Sequence, residues 1–417
     1  MTTTRTVSAL ALWLTFVAVH LVLGLLNLFA PGLPLGDVTI VYARWAEQAY
    51  SSGVVVGVDM PWVYPLLAIV PILASVTFGL EHIAAAWLSI VMVVNILALG
   101  FLTRWGRSRS GVAAGWWWVT FLLALGPIAL ARIDAITVAV AIIGVTLLRS
   151  HPQVAGVVLA CATWIKVWPA ALVLAALIVV GDRWKIAVAA AATTGTIVVF
   201  ALLAGAGWNV FSFITQQTGR GIQIESPIAG FWLWQIIAGV PDTFIYYDTT
   251  ILTFQIAGAE VELAAAVVTP LLALVVALIA LLGLRAVRAG AASLNVLPML
   301  TLALVSALIV VNKVGSPQFI SWLAVPIVLG LLTRTVHGSP SFRVPAVLTL
   351  VIAVLTHAVY PYLYHLLLAS NPPIITMLSV RNLVLIVLLG WAIVGLAKLA
   401  SAALSSPLVI PQAKESA

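Results

Sequence analysis

Mostly apolar runs separated by short polar breaks recur along this chain, many of them near the ~20 residues that cross a bilayer as a helix. They predict helices over 8–29, 84–103, 111–130, 133–149, 154–165, 167–180, 186–206, 262–284, 294–311, 317–333, 343–362 and 381–399. Two stretches resist simple assignment. Lys166 and Pro169 interrupt 154–180, and two short helices meeting at Lys166 would keep its ammonium out of the hydrocarbon. The stretch 61–78 is apolar enough to span, but Pro61, Pro65 and Pro71 break it. A helix lying at the membrane interface is the alternative.

Composition removes the soluble classes. The chain is 63% hydrophobic and 7% charged, against about 25% charged in a soluble domain. The fold class is therefore an all-α polytopic membrane protein of about twelve transmembrane helices, one domain over 1–417. The first run has only Arg5 before it and no small-residue cleavage site, so it is expected to be a retained helix. Cys161 is the single cysteine and offers neither a disulfide nor a metal cluster. The net charge of +7 does not signal nucleic acid, because basic residues in such a chain mark topology.

Charge then decides the 61–78 question. Placing that stretch at the interface lets the whole chain obey the positive-inside rule. Inside fall Arg5, Arg104, Arg107, Arg109, Arg149, Arg183, Lys185, Arg285, Arg288, Arg334, Arg343, Lys398 and Lys414. Outside fall Arg44, Arg132, Lys166, Arg220, Lys313 and Arg381. Ten of the twelve acids also fall outside, and only Asp182 and Glu415 fall inside. Two large outer loops, 30–83 and 207–261, hold most of them. The polar chemistry is expected to face outward from the cell membrane.

Several motifs gather on that side. They are G-D-V-T-I-V-Y at 36–42, W-V-Y-P at 62–65, "WIKVWPA" at 164–170, "QTGRGIQIESP" at 217–227 and "VNKVGSPQFISWLAVP" at 311–326. The first two resemble the first outer loop of the GT-C glycosyltransferases, and the others resemble glycosyltransferase family 87 in particular. The resemblance runs from residue 36 to 326. It implies a GT-C-like bundle with interfacial helices in the first outer loop. It also implies a polyprenyl-phosphate-sugar donor and an acid at position 37 acting as general base on the acceptor hydroxyl.

The residues bear their own readings beside that one. A sugar hydroxyl attacking an anomeric carbon needs a proton acceptor, while a lipid phosphate leaves unprotonated, so one carboxylate suffices where a glycosidase needs two. Asp37 is that candidate; it is equally placed to cap the next helix. Residues 38–49 form a plausible interfacial helix with Val38, Val41, Trp45 and Ala49 on one face. Tyr42 and Arg44 would point off that face, toward sugar or phosphate, or serve as an ordinary aromatic belt and headgroup contact. Asp59 is a second candidate base or a sugar ligand, and otherwise a turn residue. Tyr64, held extended before Pro65, is placed to stack on a sugar ring or to pack.

The cations need anions. Lys166, bounded by apolar residues, calls for a partner such as a polyprenyl phosphate, which the resemblance implies, or an acid such as Asp134. Arg220 offers a bidentate fork to phosphate among glycines that allow close approach, or pairs with Glu225 at the surface. Lys313 is a third phosphate candidate. Glu225, Gln318 and His365 are candidate sugar or acceptor contacts, although a lone helical histidine is more often structural. No H-x-x-H, D-x-D or carboxylate pair at metal-ligand spacing occurs, so neither a metal nor any other cofactor is expected.

The expected function is that of an inverting membrane glycosyltransferase. It would move a sugar from a polyprenyl phosphate to a lipid-anchored glycan among the membrane lipids. By resemblance the sugar is mannose and the acceptor a phosphatidylinositol mannoside or lipomannan. Arabinofuranose is the alternative within that class. Outside it stand a lipid-linked-sugar transporter or flippase and a non-catalytic assembly protein. Transporters place ionisable residues near the midplane of repeat-related broken helices, whereas no clear repeat is present here and the acids collect at one surface.

Overall fold

The computed structural model describes residues 2–216, 219–333 and 341–402, with side chains from Ser8 to Ser401. The Arg5 side chain, Gln217, Thr218, Arg334, Lys414 and Glu415 lie outside this description. Among the described residues, eight helices are long and apolar enough to cross a membrane. They are Ser8–Phe29, Leu80–Thr103, Arg109–Ala129, Arg183–Leu203, Val261–Arg288, Ser293–Val310, Arg343–Tyr362 and Pro372–Ser401. Five shorter apolar helices accompany them, Ile133–Leu147, Pro152–Ile165, Ala170–Val179, Pro227–Ile237 and Pro317–Thr333. The chain is a multi-pass, all-α membrane protein.

Four of the twelve predicted spans are these shorter helices, and each has a local reason to stop. Arg132 and Asp134 stand at the start of Ile133–Leu147. Lys166 adopts extended backbone, φ −150° and ψ 139°, between Pro152–Ile165 and Ala170–Val179. Pro317 opens a tight 3-10 run to Leu323 before the α-helix proper begins at Ala324. The predicted break at Lys166 is therefore present. In the Pro61–Phe78 stretch only Leu66–Ala68 and Ile69–Ala74 are helical. Nine helical residues reach roughly 14 Å, about half the hydrocarbon thickness.

The two ends of the bundle differ. The Arg104–Arg109 turn lies beside the start of the first helix, where Trp13 and Trp105 stack with centroids 6.1 Å apart. Asp37 follows the other end of that helix, whose span of 22 residues is about 33 Å long. Ser108 caps the helix that leaves the basic turn, its hydroxyl accepting the Gly111 N–H at 3.1 Å.

Packing sorts the helices. Ser293–Val310 is apolar all round and enclosed, as a central helix should be. Arg183–Leu203 and Val261–Arg288 instead expose Val188, Val199, Phe200, Leu203, Leu271 and Leu278, a surface suited to lipid. Gly156 lets Pro152–Ile165 meet Arg183–Leu203, since a Cβ there would lie 2.6 Å from the Ile186 carbonyl oxygen. His20 and Asn95 join the first and second long helices across the interior at 3.0 Å.

The 207–261 segment is more than a loop. It holds Pro227–Ile237 and an antiparallel hairpin, β1 (Phe244–Asp248) and β2 (Thr253–Ala257), with Tyr246 opposite Gln255. Its sequence, F-I-Y-Y-D and T-F-Q-I-A around a T-T-I-L turn, has the aromatic and β-branched enrichment of strands.

Candidate active site

Three consecutive residues, Arg132, Ile133 and Asp134, organise the polar end of the bundle. Arg132 Nε lies 2.8 Å from Asp37 Oδ2. Its other nitrogens donate to the Tyr360 hydroxyl at 2.9 Å and to the Ala131 and Pro34 carbonyls. The Ile133 N–H donates to the Tyr42 hydroxyl at 3.2 Å. Asp134 accepts from Trp322 Nε1 at 2.6 Å and meets Lys166 Nζ at 3.4 Å. Charges at such depth persist when they are paired and hydrogen-bonded.

The predicted interfacial helix begins differently from its periodicity. Asp37–Tyr42 is a π-turn, in which the Ala43 N–H reaches back to the Val38 carbonyl, and only Ala43–Ser52 is α-helical. A π-turn fits an extra residue into the turn. The buried face consequently runs through Val38, Tyr42 and Ala46 rather than Val38, Val41, Trp45 and Ala49. Tyr42 is thus fully buried, against the expectation that it points off the packed face, while Arg44 is exposed.

Tyr64 stands over the next position. Lys166 Nζ lies 4.6 Å from its ring centroid and 5.6 Å from that of Phe319, both within cation–π range. Trp168 stacks on Trp322 at 5.4 Å and donates to Thr137 Oγ1. The 164–170 and 311–326 motifs therefore touch each other across Asp134. The acid partner of Lys166 named as the alternative in the sequence is the one observed.

The 217–227 motif joins from the other side. The Gln223 N–H donates to the Lys313 carbonyl at 2.9 Å, while Ile222 and Ile224 pair with β2. At Gly315 a Cβ would lie 2.2 Å from the Ser226 nitrogen, so this crossing of two loops admits only glycine. Arg220 and Glu225, a candidate pair in sequence, part company. Burial holds the Arg220 guanidinium below the usual range against the pull of Tyr64 and Asp248, and Arg220 in turn acts on Lys166 and Lys313. Burial and then Arg220 depress the Lys313 ammonium as well. A cation disfavoured by burial and by a neighbouring cation is stabilised when an anion approaches it.

Glu225 turns away into a separate cluster. Its carboxyl bonds the Tyr364 hydroxyl, and Arg381 donates to its backbone carbonyl at 2.7 Å. Burial pushes its pKa up to about 7 against the pull of Arg381 and Arg132. A cavity with room for about one water lies between Glu225, Tyr360 and Arg381. His365 is exposed, and its neighbour Tyr364 is the residue that reaches inward. Gln318 is buried in the 3-10 run, where its carbonyl accepts the Ser321 hydroxyl at 2.7 Å. Asp59 is exposed and accepts the Val55 N–H at 2.7 Å, closing its own turn.

Arg132, Asp134, Tyr360, Tyr364 and Arg381 are the residues that sequence reasoning left outside the site. A signal existed for the first two. An R-I-D triplet inside a run that is apolar from 121 to 148 is costly unless both charges have partners. Among the described residues, no three His, Cys, Asp or Glu side chains are placed to share a metal ion. Compared with known proteins, the chain matches no family model, no curated protein and no solved structure.

Proposed function

We propose that this chain is an inverting membrane glycosyltransferase that takes a sugar from a polyprenyl phosphate and places it on a lipid-anchored glycan. The observation that carries this reading is convergence. Lys166, Arg220 and Lys313 come from three separate motifs that meet at this end of the bundle, with Arg220 acting electrostatically on both lysines and Asp37 held by Arg132, two positions before Asp134. Eight long helices and four of the shorter ones, Ile133–Leu147, Pro152–Ile165, Ala170–Val179 and Pro317–Thr333, are compatible with a GT-C-like bundle of about twelve crossings.

The chemistry follows from the residues. An acceptor hydroxyl oxygen attacks the anomeric carbon from the face opposite the phosphate. The bond from that carbon to the phosphate oxygen breaks, and its electron pair leaves with the phosphate. The three cations receive the resulting charge, as preorganised donors do where charge develops. The proton passes to Asp37; Arg132 engages Oδ2 and leaves the other oxygen to accept it. The resemblance to glycosyltransferase family 87 favours mannose over arabinofuranose, with a phosphatidylinositol mannoside or lipomannan as acceptor.

The test is transfer by the purified protein in lipid, with polyprenyl-phosphate-mannose and polyprenyl-phosphate-arabinose as separate donors and linkage analysis of the product. Failure to transfer either sugar to any lipid-linked mannoside rejects the reading. An outward-facing site at the cell membrane predicts that a cysteine at Thr249, in a Cys161→Ala background, reacts with an impermeant thiol reagent on intact cells. A cysteine at Ser150 should stay unlabelled. Both positions are exposed on the protein, so reversed labelling reverses the sidedness.

A further inference from the structure

The hairpin β1–β2 and the segment 222–224 form a three-stranded ribbon. Ile256 donates to the Ile222 carbonyl at 3.0 Å, Ile224 donates to the Phe254 carbonyl at 3.3 Å, and Gln223 stands opposite Gln255. Side chains alternate across such a ribbon. One face, with Ile222, Ile224, Phe254 and Ile256, packs into an apolar cluster. A small ribbon ordinarily gives its other face to water. Here that face carries Gln223, Gln255, Thr253, Tyr246 and Asp248, and both glutamines are buried.

The bonds this face makes with itself are long. The Tyr246 hydroxyl donates to Gln255 Oε1 at 3.3 Å, and Gln255 Nε2 donates to Asp248 Oδ2 at 3.4 Å. Among the described residues, Thr253 Oγ1 and Arg220 Nε, the latter next in sequence to the Gly221 that packs on Gln255, are buried atoms without a hydrogen-bond partner. Buried polar groups are nearly always satisfied, so unmet capacity at the buried centre of a polar face whose edge, at Tyr246, is open points to a polar ligand. The ligand's charge is also constrained. Hydroxyl, amide and carboxylate groups stand side by side, and Asp248 would repel a second anion next to Arg220.

We propose that this face is a subsite for a neutral, polyhydroxylated sugar ring, seated beside the phosphate held by Arg220, Lys313 and Lys166. Gln255 and Thr253 determine its specificity. The proposal rests on the transferase reading and names the side chains that read its donor sugar.

Thr253→Val is the informative variant, because it removes a hydroxyl that supports no bond within the described protein and keeps the side-chain shape. Gln255→Leu is the second variant and removes both amide groups. Binding is measured for the full chain in lipid nanodiscs with two probes, sugar-free polyprenyl phosphate and polyprenyl-phosphate-mannose. Thr253→Val is expected to bind the sugar-free lipid as wild type does and the mannosyl lipid about tenfold more weakly, the effect of one lost hydrogen bond. Gln255→Leu is expected to lose more. Unchanged affinity of Thr253→Val for the mannosyl lipid, with wild type binding both probes, overturns the subsite and leaves the transferase reading standing. Wild type that binds neither probe overturns both.

Discussion

Two ion pairs flank Ile133, and they are built in opposite senses. In Asp37–Arg132 the cation is the buried partner, 8% exposed, and the acid is 36% exposed. In Asp134–Lys166 the acid is the buried partner, 1% exposed, and the cation is 15% exposed. The buried member of each pair has its capacity filled by the protein, Arg132 by Tyr360 and two carbonyls, Asp134 by Trp322. Only the outer member has capacity left for a ligand. The first pair thus presents a proton acceptor and the second a positive charge, anchored on Arg132 and Asp134 two positions apart in the chain. A transfer that releases a phosphate and a proton needs one of each.

The strongest break in this comparison is made at the exposed acid. Asp37→Asn keeps an oxygen for Arg132 and removes the proton acceptor. General-base catalysis contributes about 10²–10⁴-fold, so turnover at matched protein level should fall by that much with donor binding near wild type, while the buried Arg132, left with hydrogen bonds but no counter-ion, lowers thermal unfolding as well. Near-normal turnover would remove Asp37 from the chemistry.

Truncating the buried acid should show first in stability. Asp134→Ala leaves Lys166 without its counter-ion in a site with little water, and breaking such a pair costs about 3–5 kcal/mol. Thermal unfolding in detergent should show a large loss of stability, much of it recovered in Asp134→Ala/Lys166→Met. Lys166→Ala should raise KM for the donor more than for the acceptor. Lys166→Arg need not restore it, since a planar fork and a point charge differ in geometry. An Asp134→Ala protein as stable as wild type would show that the second pair has no structural role.

Glu225 sharpens the contrast, because it senses Arg132 of the first pair. Its folded-state pKa is raised to about 7 from an ordinary 4.5. A raised carboxyl favours the folded state fully below the ordinary value and loses that contribution as pH climbs through about 7. Unfolding temperature should therefore decline by a few degrees between those two values. Glu225→Gln, neutral throughout and still able to bond Tyr364, should flatten the decline. A wild-type profile already flat over that window would place the carboxyl in a wetter setting.

Much of this was legible in the sequence, for physical reasons that also explain what was not. Apolar length marks spanning helices directly, and the break at Lys166 was visible because an ammonium cannot lie in hydrocarbon. The opposite placement of Asp37 and the Arg104–Arg109 turn followed from charge alone. The buried side of 37–52 was lost because a π-turn leaves no mark on a 3.6-residue pattern. Arg132 and Asp134 were seen as outer charges but not as the hub, since their partners lie 95 and 188 positions away in Asp37 and Trp322. The hairpin was hidden by its setting in a long polar segment, where alternation over five residues per strand is a weak signal.

The smallest effect is expected at the acid that the sequence could not separate from Asp37. Asp59 stands in the same outer segment, yet its geometry is that of a turn. Oδ2 accepts the Val55 N–H, and the backbone closes around it through Gly57 to Met60 and Asp59 to Val55. No cation lies within ion-pair distance of Asp59 among the described residues, whereas Arg132 fixes Asp37 at 2.8 Å. Asp59→Asn retains an acceptor oxygen for Val55, so the turn survives at a cost near that of an ordinary surface substitution, within about 0.5 kcal/mol. Turnover should remain within a few-fold of wild type. The two variants decide the matter when assayed together at matched protein level. A dead Asp59→Asn beside an active Asp37→Asn would move the base across the segment and leave the Arg132 pair as scaffold.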